Sequence, residues 1–143
     1  MSETFPIEDL SKKEQKWVRL AMRAKKRAYA PYSRYLVGCC LIDNKGKIHT
    51  GCNVENASYS ACICAERTAI VKMISRGSKR IKAIVVAASS EEPVFPCGMC
   101  LQVIQEFGQD AQVIAVNRRG TVFRRSMTQS LFPFAFDPEK LKR

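Results

Sequence analysis

The segment Ile81-Lys82-Ala83-Ile84-Val85-Val86-Ala87-Ala88 is apolar throughout except at Lys82. A strand with one wet face alternates apolar and polar residues, whereas an unbroken apolar run rich in Ile and Val reads as a strand covered on both sides. Gln112 to Val116 has the same character. Each run adjoins a stretch with helical periodicity. Cys64 to Arg76 places Ala65, Ala69 and Met73 on one face and stops at Gly77, and Gly98 to Phe107 forms a short helix that stops at Gly108. Two doubly covered strands, each next to a helix, predict a mixed sheet with helices on both faces. The expected fold is therefore a three-layer α/β/α sandwich with about five strands.

The other elements fit around this centre. Ser11-Lys12-Lys13-Glu14 has the spacing of a capping box, and Trp17, Leu20, Ala21, Ala24 and Ala28 mark one face of a first helix that Pro31 ends. Leu36 to Ile42 and Lys47 to Thr50 flank Asp43-Asn44-Lys45-Gly46, the pattern of a β-hairpin. Gly51 to Ile63 reads as a loop whose length and polarity suit a functional site. Thr121 to Arg125 reads as an edge-like strand, and Thr128 caps a last short helix before Pro133. With 143 residues, no repeat and no linker, residues 1–143 are expected to form one domain.

Composition narrows the function classes. An apolar content of 46% supplies a real core and argues against disorder. Lys and Arg total 24 against 13 Asp and Glu, and the resulting +11 would suit a polyanionic partner. Much of that excess lies in the first helix, at Lys12, Lys13, Lys16, Arg19, Arg23, Lys25, Lys26 and Arg27. Interspersed charge of this kind first of all makes a solvated surface. The N-terminal residues are acidic and lack an apolar targeting core, and no apolar stretch approaches the roughly 18 residues of a membrane span, so a cytoplasmic protein without membrane contact is expected, the nucleus remaining open in a eukaryote. Seven cysteines without a secretory signal read as thiols for metal binding or packing, not as a disulfide framework.

Two cysteine elements fall at helix N-termini: Cys64-Ala65-Glu66 and Pro96-Cys97-Gly98-Met99-Cys100. Free N–H groups and the positive end of the helix dipole favour thiolates there. Three thiolates from Cys64, Cys97 and Cys100 would hold zinc with one tetrahedral position open, the arrangement of a catalytic site. Glu66 would then move protons beside the metal. Residues two apart on a helix point in nearly opposite directions, so Cys64 has to sit at the non-helical cap. Three thiolates also leave the site about −1 in charge, which calls for compensation by Arg67, one turn from Cys64, and by the helix N-termini. A C-x-x-C alone also reads as a redox pair or half a zinc ribbon, but thioredoxin-type flanks and a second C-x-x-C are both missing. C-x-E together with P-C-x-x-C matches the nucleobase-deaminase pattern with cysteine in place of its histidine. Cys62 is an alternative ligand, and His49, the one histidine, reads as structural.

Taken with Ala30-Pro31-Tyr32-Ser33, Val37-Gly38, Asn53-Val54-Glu55-Asn56-Ala57-Ser58-Tyr59 and Cys64-Ala65-Glu66-Arg67-Thr68-Ala69, these motifs resemble the cytidine deaminases of the short, homotetrameric, zinc-dependent type. The resemblance runs from about residue 14 to 136. It implies one zinc ion per subunit on Cys64, Cys97 and Cys100, with Glu66 as the proton carrier and Arg67 supporting the thiolates. It implies Asn53 and Glu55 on the ribose 3′-hydroxyl, Tyr35 and Ala65 at the base, and Ala57, Tyr59 and Phe136 reaching a neighbouring subunit's pocket. The reaction implied is hydrolytic attack at carbon 4 of cytidine or deoxycytidine, with ammonia released. Two positions depart from the family: Tyr35 stands where Phe is usual, and Leu101 where Arg is common.

A small pyrimidine nucleoside is therefore the expected partner, with no obligatory nucleic acid. A polynucleotide cytosine deaminase is the first alternative, motivated by the charge. A 3′-phosphodiester would remove the proton Glu55 accepts and place negative charge beside it, and an aromatic content of 8% leaves few stacking platforms. A catalytically inactive zinc-binding protein is the second, motivated by Tyr35 and Leu101.

Overall fold

The computed structural model describes residues 3–141. The Ile81 run forms β4 (Ile81–Ala88), which pairs in parallel with β5 (Gln112–Val116) and sets Ile84 beside Val113. On its other edge β4 pairs antiparallel with β2 (Val37–Asp43), Leu41 beside Ile84, and β2 turns into β3 (Ile48–Cys52). Beyond β5 runs β6 (Val122–Met127), antiparallel, and then β1 (Phe5–Pro6), so the mixed sheet has six strands in the order β1-β6-β5-β4-β2-β3. About five strands were expected from periodicity, and the additional one is β1. Two residues carry no alternation, and Pro6 is tolerated because this strand lies at the sheet edge.

Alternation along β4 explains why the run is apolar throughout. Ala83, Val85 and Ala87 face one layer, where α1 (Lys12–Lys25) packs Trp17, Val18 and Ala21 against Cys40, Ile42 and Val116. Ile84 faces the other layer, where α2 (Ala65–Ser75) and α3 (Gly98–Gly108) pack Ala69, Ile70, Met73 and Ile104 against Cys39, Leu41 and Val113. Gly51 of β3 lets α2 lie close: a Cβ there would stand 2.6 Å from the Ala69 nitrogen and 2.7 Å from the Ala65 oxygen. That contact fixes the first turn of α2, and with it Cys64 and Glu66, on the sheet.

The capping box at Ser11 and Glu14 forms as expected. The helix it starts ends at Lys25, earlier than Pro31 would require. From Tyr29 the backbone is engaged elsewhere: its N–H donates to Asn53 O at 3.0 Å and its carbonyl accepts from Glu55 N–H at 2.8 Å. This detour lays the Tyr32-Ser33 turn against Glu55. Thr128 is the first residue of the last short helix, α4 (Thr128–Leu131), and Met127 is its cap. The Thr128 hydroxyl instead donates to the Ala111 carbonyl at 3.1 Å.

His49 has the structural role expected of it. Its Nε2 lies 3.0 Å from Asp43 Oδ2, with both residues buried. Burial opposes ionisation of Asp43, but His49 and the amides of Lys47 and Lys45 at 2.9 Å outweigh it and hold the carboxyl at about 2. Among the described residues no helix is long and apolar enough to cross a membrane.

Candidate active site

The two cysteine elements converge at the N-terminal ends of α2 and α3. Cys64 and Cys97 are the cap residues of these helices, both extended, with ψ of 156° and 167°. This is the non-helical placement that Cys64 needs if Glu66 is to share its surroundings. Cys100 lies fully buried in the first turn of α3. The three Sγ atoms all lie within 4.8 Å of one another, and those of Cys64 and Cys97 are 4.0 Å apart. Zinc binds thiolate sulfur at about 2.3 Å, so tetrahedral ligands stand about 3.8 Å apart. The spacing and the all-sulfur donor set therefore fit zinc with a fourth position open. This is the one cluster of three or more metal-ligating side chains among the described residues.

Electrostatics prepare this group before any metal binds. Hydrogen bonding from Cys100 is the largest influence on Cys64, and with Arg67 and Cys97 it outweighs burial and brings the thiol down to about 5. Cys100 is correspondingly pushed up by its bond to Cys64 and by burial, so it retains the proton of the pair. Arg67 Nη2 donates to Cys64 Sγ at 3.4 Å and supplies the positive charge that three thiolates require. Leu101, beside Cys100, is buried and apolar, so it brings no charge to the group.

Glu66 is only 5% exposed and stands in the first turn of α2. Cys100 Sγ lies 3.6 Å from its Oε2. Burial first, and then the negative charge of Cys64, raise its pKa and increase its affinity for a proton. Ala65, immediately before it, is buried and can face a ligand only through its backbone.

The loop after β3 forms a second wall. Asn53 accepts from Val37 N–H at 2.8 Å and donates to Tyr35 O at 2.7 Å, clamping residues 35–37. Glu55 accepts from the amides of Tyr32 at 3.0 Å and Ser33 at 3.1 Å, and also from the Ser33 hydroxyl. These bonds, that of the Ser33 hydroxyl foremost, keep its carboxyl below the usual carboxylate range. A carboxylate offers about four acceptor positions, so room remains for a hydroxyl donor. The Tyr35 hydroxyl is held by Ser90 Oγ at 3.4 Å.

Sequence reasoning assigned no role to Ser33 or Ser90. Ser33 carried a local signal, the Pro31-Tyr32-Ser33 turn, whereas the contact between Ser90 and Tyr35 spans 55 positions and has none. Cys62 stands apart from the sulfur cluster, with its Sγ accepting from Asn56 N–H at 3.3 Å. Ala57, Tyr59 and Phe136 lie on the surface, Tyr59 at 72% exposure and Phe136 at 57%. Tyr59 packs edge-on against Tyr32, and the Phe136 backbone is tied to the Gln102 side chain by two hydrogen bonds, at 3.0 and 3.2 Å.

Comparison with known proteins agrees with this geometry. Residues 11–116 match the family profile for the cytidine and deoxycytidylate deaminase zinc-binding region. A cytidine deaminase of Sporosarcina psychrophila is 41% identical over 128 residues, 89% of this chain and 93% of that protein. A probable cytidine deaminase of Dictyostelium discoideum is 42% identical over 128 residues, 89% of this chain and 86% of that one. The crystal structure of cytidine deaminase from Burkholderia pseudomallei is similar at a TM-score of 0.81 and 40% identity, covering 89% of this chain and all of that one.

Proposed function

Because the chain belongs to the cytidine and deoxycytidylate deaminase family, we propose that it converts free cytidine and deoxycytidine to uridine and deoxyuridine with release of ammonia. It is a zinc-dependent hydrolase, and Cys64, Cys97 and Cys100 hold the ion. The observation that carries the reading is a proton-affine buried carboxylate, Glu66, 3.6 Å from one sulfur of a three-thiol cluster. Zinc held by these three thiolates would lower the pKa of water and so supply the nucleophile for hydrolysis at neutral pH.

The chain's own residues do the rest. Glu66 accepts one proton of the attacking water and delivers it to ring nitrogen 3, then takes the second from the new carbon-4 hydroxyl as the carbonyl forms and passes it to the departing amine. Arg67 stabilises the thiolates. Glu55, oriented by the Ser33 turn, accepts from the ribose 3′-hydroxyl, and Asn53 fixes the strand end beside it. Tyr35, restrained by Ser90, lies along the base, and the Ala65 backbone meets it from the start of α2. An ultraviolet assay should show cytidine loss that a chelator abolishes and zinc restores. Cytidine 3′-phosphate should turn over at least about tenfold more slowly, because it lacks the proton Glu55 accepts. Equal rates for the two substrates would remove Glu55 from this role, and would favour the polynucleotide alternative.

The assembly is a homotetramer in this reading, with pockets shared between subunits. Exposed apolar side chains support it: Phe134 is 96% exposed and Met99 63%, alongside Tyr59 and Phe136. Ala57 and Tyr59 would enter a neighbour's pocket, and Phe136 would pack on its base. Mixing Glu66→Ala subunits with Phe136→Ala subunits should restore activity that neither has alone, since some pockets then contain Glu66 from one chain and Phe136 from another. Absence of any complementation after verified subunit exchange would show that each pocket uses its own Phe136.

A further inference from the structure

Helix α1 buries Trp17, Val18 and Ala21 in the core, and Lys12, Lys16, Arg19, Arg23 and Lys26 are exposed. At 100° per residue these five basic positions fall within an arc of about 80° opposite the buried face, and they extend about 21 Å along the axis. They form one straight row of positive charge. Arg27 continues it, and Lys25 Nζ, donating to Arg118 O at 2.8 Å, draws the turn carrying exposed Arg119 to its end.

The row differs from the other charges of the helix. Lys13 lies over the Trp17 ring and Lys25 binds Arg118, while Glu14, the one acid of α1, is committed to Ser11 and Arg125. The side chains of the five row residues make no hydrogen bond or ion pair with another described residue. Like charges three and four residues apart repel on a helix; Lys12 in the first turn also opposes the helix dipole, whereas Arg23 in the last turn is favoured by it. A merely soluble helix would interleave Glu with these lysines. No acid interrupts the repulsion along the row, which suits it to an external polyanion.

We propose that this face of α1 docks the phosphate backbone of a single-stranded polynucleotide, as a surface separate from the deaminase site. The two lie on opposite faces of the sheet, since α1 covers one and the cysteine-bearing helices α2 and α3 the other. A bound strand is held beside the enzyme and is not its substrate. Several features select this occupant. A line of charges matches a linear chain of phosphates. A membrane would bind an amphipathic helix through its apolar face, which here is in the core. Entry into a duplex groove needs a protruding helix, whereas α1 lies flat on the sheet with half its circumference covered. No aromatic side chain stands in the row, so recognition rests on phosphate and not on base identity.

The test is fluorescence anisotropy of a labelled 20-nucleotide oligouridylate, which lacks cytosine, across a salt series with the full-length protein. Five charge contacts predict a log–log slope near −3.5, or about 10²-fold weaker binding between 50 and 200 mM salt. The variant Lys16→Glu/Arg19→Glu/Arg23→Glu/Lys26→Glu should lose at least about 10²-fold in affinity at low salt while keeping cytidine turnover within about twofold. The proposal is overturned if the wild type does not bind, or if the charge reversal leaves binding unchanged. Competitive inhibition of cytidine turnover by the oligomer would also overturn it, as would tighter binding to duplex or to anionic vesicles.

Discussion

Glu66→Gln should leave the protein folded and loaded with zinc and lower cytidine turnover by about 10⁴-fold, the upper end of what a positioned general acid–base contributes. The amide has the shape of the carboxyl group and fits the same 5%-exposed space. It cannot take a proton from water or pass one to ring nitrogen 3. The carboxylate is not among the sulfur ligands, so metal content should be unchanged. The measurement is kcat beside zinc per subunit and a thermal melt. A kcat within tenfold of wild type, with full zinc and an unchanged melt, would show that another group carries the proton.

How the sequence encodes this arrangement varies with the range of each interaction. The apolar run of β4 predicted a doubly covered strand because burial on both faces is a local property, and Ala83, Ile84 and Val85 do divide between two cores. The capping box at Ser11 was legible for the same reason. The end of α1 was not, since it depends on Tyr29 pairing with Asn53 and Glu55, far along the chain. Strand β1 was too short to show a period and is held by its register with Phe123 and Val122.

The site shows the same division. Backbone geometry required Cys64 at a cap, and its ψ of 156° meets that requirement. The support of Tyr35 by Ser90 and the tie between Phe136 and Gln102 are tertiary contacts without a local pattern. Composition reported +11 but not its distribution. The pattern of the first helix already put much of that excess on its exposed surface, and the structure singles out Lys12, Lys16, Arg19, Arg23 and Lys26 as a row opposite the buried face, with the deaminase site on the other side of the sheet.

Cys97→Ala should cut zinc occupancy to a small fraction of one per subunit and reduce turnover by at least about 10³-fold, because both retention of the metal and the activation of water it would supply depend on a complete ligand set. Cys97 separates metal loss from unfolding better than the other ligands. It is exposed and belongs to neither core cluster, whereas Cys100 is fully buried. The variant should therefore keep its secondary structure, and any fall in melting temperature should resemble that of chelated wild type. Cys62→Ala is the matched control. Its sulfur caps the Asn56 amide and lies outside the cluster, so zinc content should stay near one per subunit. Equal zinc loss in both variants would mean that Cys62 belongs to the ligand set, and retained zinc in Cys97→Ala would show that the metal is held without it.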